Sequence, residues 1–157
     1  MMEKYLYPYV SEDHIKMGLI RSGYTDLTPE DDDRMIVYLW PVIREMIKTA
    51  IENNQNMIVE GCYVPFDWKN DFSDEYLCQI KFICLCFSDG YIDTHFNDIK
   101  QYASCIEKRL YDDYCTADIL KRENRFYLDG FSSHGSEAVL IENNYTETIQ
   151  RVLEKMI

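Results

Sequence analysis

The stretch NMIVEGCYVP, residues 56–65, joins an apolar run, Met57-Ile58-Val59, to an acid and a glycine, Glu60-Gly61. A short apolar run without alternation, rich in β-branched residues and ended by glycine, predicts a strand covered on both faces, as in a parallel sheet. Three other runs have strand character: YLYPYV (5–10), IKFICLCF (80–87) and AVLIE (138–142). The segments between them are helical in pattern.

In TPEDDDRMIVYLWPVIREMIKTAIENN (28–54), Met35, Ile36, Leu39, Val42, Ile43, Met46, Ile47 and Ile51 recur at helical spacing. Thr28 is in place to cap, Pro29 to occupy the first helical position, and the acidic run to meet the positive helix end. Pro41 predicts a kink or two abutting helices. The last segment, NYTETIQRVLEKMI (144–157), sets Ile149, Val152, Leu153 and Met156 on one side of an amphipathic helix. Strand and helix alternate along the chain, which predicts one α/β domain over residues 1–157, a three-layer α/β/α arrangement around a mostly parallel sheet.

Bulk composition bounds the function. The 157 residues are 46% hydrophobic, enough for a sizeable core, and carry 28 acidic against 16 basic residues for a formal charge of −12. That charge opposes general affinity for nucleic acid or anionic membranes, so neither is expected as a partner. No uninterrupted run of about 18 apolar residues is present to span a bilayer, and MMEKYLYPYV lacks the pattern of a secretory signal, so a soluble cytoplasmic protein is expected. The six cysteines form no CxxC pair and read as reduced, packed thiols.

GLIRSGYT (18–25) has the glycine spacing of a phosphate-binding loop, G-x-x-x-x-G-K-[ST], with tyrosine in place of the lysine. A working loop follows a buried strand and opens a helix, whereas polar, helix-like SEDHIKM precedes this one. Gly23 reads instead as the left-handed residue that ends a short helix. GFSSHGSE, from Gly130, also lacks lysine and precedes a strand.

More informative is the acid at a strand end. Ligands of open parallel sheets bind at the carboxyl ends of the strands, where Glu60 can take a hydroxyl proton, orient a metal-bound water or bind a substrate hydroxyl. Its bland alternative is a carboxylate capping the following turn. YPYVSEDHIKMGLIR (7–21) repeats the pattern, with Asp13 after the opening strand and Arg21 two helical turns later. Asp13 or Glu60 is then the candidate base, and Arg21 the anchor of an anionic substrate group.

KRLYDDYCTADILKRENR (108–125) is the one locally basic segment, with Lys108, Arg109, Lys121, Arg122 and Arg125 against four acids. Its guanidinium groups can close over phosphates, or the segment can be a solvated helix laced with salt bridges. His14, His95 and His134 are scattered and Cys84-Leu-Cys86 lacks partner ligands, so no metal site is expected. A Cys62 nucleophile with His14 as base rests on residue types alone.

In their order and spacing, these segments resemble the small phosphoryl-transfer kinases of the P-loop superfamily, the adenylate, shikimate and gluconate kinase-like proteins. YPYVSEDHIKMGLIR matches the second strand and substrate-binding helix, NMIVEGCYVP the third strand, IKFICLCFSD the fourth and AVLIENN the fifth. The helical segment around 105–128 matches the lid. The resemblance implies phosphoryl transfer from ATP, with Mg²⁺, to a small metabolite. Asp13 or Glu60 would serve as base or metal-organising acid, Arg21 and Gly61 as substrate contacts, and Arg109, Arg122 and Arg125 as phosphate-binding lid residues.

The family's first strand, phosphate loop, lysine and Mg²⁺-binding hydroxyl have no counterpart in the sequence. By the family's sheet order, 2-3-1-4-5, that strand is central. A truncated or degenerate kinase-like chain that binds ATP weakly is therefore expected, with no cofactor of its own. The gap is expected to close by direct pairing of the third and fourth strands or by self-association into a homo-oligomer. The alternative is a non-catalytic small-molecule-binding or regulatory module.

Overall fold

A computed structural model describes residues 6–103 and 114–156. Its elements in chain order are β1 (Tyr9–Ser11), α1 (Glu12–Arg21), α2 (Asp32–Glu52), β2 (Ile58–Glu60), a 3₁₀ turn (Trp68–Asp71) and α3 (Asp74–Leu77). They are followed by β3 (Cys84–Phe87), α4 (Asp89–Tyr102), α5 (Ala117–Ser133), β4 (Ala138–Ile141) and α6 (Tyr145–Lys155). The fold is mixed α/β, dominated by helix and carrying small parallel sheets.

Each of the four expected runs gives a strand shorter than itself, β1 reaching one residue past its run to Ser11. β1 pairs with β2 in parallel, Tyr9 opposite Ile58 and Ser11 opposite Glu60. β3 pairs with β4 in parallel, Cys84 opposite Ala138 and Phe87 opposite Ile141. These are two separate two-stranded sheets. The direct pairing of the 56–60 and 80–87 strands expected from the sequence therefore does not occur among the described residues.

The chain divides into two compact units, residues 1–80 and 81–157. In the first, α1 and α2 enclose a core of Leu27, Met35, Leu39 and Tyr63, flanked by Ile15, Leu19, Ile20 and Ile36. Trp40, Trp68 and Phe72 extend it, with Phe72 edge-on to both tryptophans at 5.9–6.1 Å. In the second, Cys86, Ile92, Phe131, Ile141 and Val152 are buried.

Helix ends follow local chemistry. Gly23, at φ +74°, ends α1: its N–H bonds to the Ile20 carbonyl at 3.1 Å and the Tyr24 N–H reaches back to Leu19 at 3.0 Å. This is the Schellman closure expected of GLIRSGYT, and a left-handed residue there favours glycine. Gly135, at φ +67°, plays the same part after α5, where Ser136 N–H bonds to the Phe131 carbonyl at 2.9 Å.

The start of α2 differs from expectation. Asp31 is the N-cap, and Thr28 stands outside the helix in a turn, its N–H and hydroxyl both donating to Asp31 Oδ2 at 2.8 and 2.9 Å. An acceptor-only carboxylate gathers both donors, so the helix begins three residues later than Pro29 suggested. α2 also runs through Pro41 as one helix. The carbonyl that Pro41 leaves without its helical N–H belongs to Val37, 76% exposed, where water can serve it.

The cysteines are packed only in part. Among those described, all free, Cys86 is buried, Cys84 and Cys115 are half-buried, and Cys62 and Cys78 are exposed. Among the described residues no helix is long and apolar enough to cross a membrane.

Candidate functional site

The β1–β2 pair sets two carboxylates at its carboxyl end. Glu60 closes β2 opposite Ser11, and Glu12 follows Ser11 at once as the first residue of α1. The strand-to-helix transition turns Glu12 inward, and the residue is wholly buried. It passes so close to Gly61 that a Cβ on that glycine would lie 2.5 Å from Glu12 Cβ and 2.7 Å from Cδ. Gly61 is therefore a space requirement of Glu12.

One Glu12 oxygen, Oε2, accepts the Tyr63 backbone N–H at 2.7 Å. The other, Oε1, is buried and has no hydrogen-bond partner among the described residues. Burial disfavours the ionised form and pushes the carboxyl up to about 7. The Tyr63 amide opposes that shift, and the negative charges of Glu60 and Asp13 add to it. Glu12 thus exchanges its proton near neutrality.

Around it runs a polar chain. Asp13 pairs with Lys16 at 3.1 Å. Lys16 donates to the Tyr63 hydroxyl and lies 4.9 Å from the centre of that ring, while the hydroxyl donates to Asp32 Oδ1 at 2.8 Å. Burial, the neighbouring Cys62 and the bond to Asp32 push the Tyr63 phenol up, so it stays protonated as a donor. Glu60 is exposed and accepts the Tyr9 hydroxyl at 2.6 Å. Glu12, Asp13, Asp32 and Glu60 make this end strongly acidic, with Lys16 the one cation bonded to them among the described residues.

The expected residues fall as follows. Asp13 and Glu60 are brought to the same strand end, close enough for both charges to act on Glu12. Arg21 is at the far end of α1, about 13 Å along the axis at 1.5 Å per residue. It is exposed and makes no polar contact among the described residues. Cys62 is exposed at the surface, but the protein packed around its sulfur, and then the charges of Asp13, Asp32 and Glu12, push the thiol up to about 11. A thiol so placed is a poor nucleophile at neutral pH.

Arg122 and Arg125 lie on α5 in the other unit, and Arg109 lies outside the described residues. Arg125 bonds to both oxygens of Asp89, with Nε to Oδ1 at 3.2 Å. Lys121 bonds to Asp93. Cys84 and Cys86 stand side by side on β3, Sγ to Sγ 3.6 Å. No group of three or more His, Cys, Asp or Glu residues able to hold a metal ion occurs among the described residues.

Glu12 is the residue that sequence reading passed over in favour of Asp13. Its signal was present: an acid directly after a strand, in a chain whose neighbouring strand ends in acid-glycine. A glycine at that point leaves room for a side chain from the adjacent strand end. No protein-family model, curated protein or solved structure matches the chain.

Proposed function

We propose that the chain is a P-loop-kinase-like domain that carries the acceptor and lid parts of such a kinase but no phosphate loop within its 157 residues. The observation that supports this most is the pairing. Removing strand 1 from a 2-3-1-4-5 sheet leaves 2-3 and 4-5, and the chain forms two parallel pairs, β1 with β2 and β3 with β4. α5, between β3 and β4, carries Arg122 and Arg125, where the resemblance puts the lid. In this reading all four strands run parallel in a three-layer arrangement, with β2 and β3 as the inner strands.

In an intact relative the reaction is phosphoryl transfer from ATP to a small metabolite. Glu12 is wholly buried against Gly61, so a reacting hydroxyl is met by Asp13 or Glu60 at the same strand end, with Glu12 behind them as a group that exchanges its proton near neutrality. Four carboxylates there disfavour a carboxylate or phosphate as the reacting group and favour a neutral hydroxyl. Positioning and charge stabilisation make up most of phosphoryl-transfer catalysis, and loop amides, lysine and a metal ligand are absent from the sequence. Calorimetry with Mg²⁺ and ATP is therefore expected to give no micromolar binding; micromolar affinity would sink the reading of an incomplete nucleotide site.

A second reading, a self-associating binding or regulatory module, is favoured by apolar strand surface. Leu85 is 46% and Leu140 36% exposed, and the β3–β4 register puts them on opposite faces of the pair. Sedimentation showing an oligomer that binds a small metabolite without ATP turnover would favour the module; a monomer would count against it.

A further inference from the structure

The 81–157 unit holds an open cleft of about 400 Å³ lined by Asp89, Asp118, Lys121, Arg122 and Arg125. Three cations from one helix, α5, meet two carboxylates, one of them from the start of α4. The distribution is uneven. Asp89 takes Arg125 through both oxygens, and Asp93 takes Lys121, whereas Arg122, exposed and one turn from Arg125, has no polar partner among the described residues. Asp118, one turn before Arg122, bonds to neither arginine among the described residues, and Asp129 adds a further negative charge near Arg125.

A carboxylate that meets a guanidinium with two oxygens presents the same paired acceptors as a phosphoryl group. We propose that Asp89 is the internal occupant of an anion site, and that a condensed phosphate enters the cleft by taking Arg125 from Asp89 and adding Arg122. The site is self-inhibited: the ligand must exchange with a tethered carboxylate rather than fill free space. Exchange is cheap because the pair is exposed, where ion pairs contribute little. Binding of the condensed phosphate is favoured by its greater charge and by the second arginine. The inference rests on the kinase-like reading only in identifying phosphate as the ligand class; the geometry lies wholly within one unit.

Inorganic pyrophosphate is the probe, titrated calorimetrically into the full chain at low salt. Asp89→Asn removes the competing charge at an exposed helix start and is expected to bind about threefold to fivefold tighter than the unaltered chain. Arg122→Ala and Arg125→Ala are each expected to bind more weakly, and all affinities to fall as salt rises. Equal affinity in the unaltered chain and Asp89→Asn, or no binding by either, would overturn the proposal. If Asp89→Asn loses its circular dichroism signal, Arg125→Ala decides: affinity unchanged from the unaltered chain would overturn it equally. A tighter Asp89→Asn in a protein whose strand order is unlike that of the kinases would leave the cleft standing and remove only the kinase reading. An unchanged affinity in a protein of kinase strand order would do the reverse.

Discussion

Glu12 carries a cost that the fold accepts. Its carboxyl, raised from the ordinary 4.5 to about 7, holds its proton more tightly in the folded than in the unfolded chain. Stability from this group is thus greatest in acid, falls as pH rises from about 4.5 to about 7, and then levels off. At about 1.4 kcal/mol per unit, the penalty above pH 7 is of the order of 3 kcal/mol. Urea unfolding of Glu12→Gln is expected to lose this slope and to exceed the unaltered chain above pH 7; an unchanged slope would assign the pH dependence elsewhere. Gly61→Ala forces a methyl group into the Glu12 carboxylate and is expected to cost about 1–3 kcal/mol. Combined with Glu12→Gly, it should cost less than the sum of the two single changes, because a glycine at position 12 removes both the Cβ and the carboxyl carbon that the new methyl group meets. The sequence made the acid-glycine end of β2 and the acids after β1 legible. It did not reveal which acid turns inward, because neighbouring acids in SED differ only in how α1 leaves the strand.

Among the elements, the strands, α1, α2 and the closing helix were readable from apolar spacing, and the stop at Gly23 from its glycine. The start of α2 was not, since Thr28 and Asp31 are both good caps and only the turn between them decides. Strand length was overread as well: among the described residues of YLYPYV the ladder register begins at Tyr9, with the Pro8 carbonyl accepting the Ile58 N–H just before it. One device could not be read from pattern at all. Asn124, on α5, accepts the Phe87 N–H at 2.7 Å and donates to the Leu120 carbonyl at 2.8 Å. A side chain thus satisfies a β3 amide that the β3–β4 ladder does not use. Asn124→Ala leaves that half-buried amide without its acceptor and is expected to cost about 1–2 kcal/mol. Hydrogen exchange should show the Phe87 amide losing protection more than its neighbours; equal protection would mean that water or backbone replaces the carboxamide. Gly23→Ala, at a left-handed position, is expected to cost about 1 kcal/mol in thermal or urea unfolding.

For the whole molecule, the parallel pairs and the charge pattern bear on function together. The acidic strand end in residues 1–80 suits a hydroxyl and its proton, and the basic cleft in residues 81–157 suits phosphate. The kinase-like reading proposed above calls for both. Of the expected fold only the coarse part is met, mixed α/β with small parallel sheets: continuous apolar runs promise strands covered on both faces, yet Leu85 and Leu140 stay exposed in a pair with no further strand beside it among the described residues. An experimental determination of strand order tests the account most directly. The kinase-like proposal predicts four parallel strands in the order β1-β2-β3-β4, with β2 and β3 flanking the place of one further strand. An antiparallel arrangement of the two pairs, or β1 or β4 as an inner strand, would contradict it.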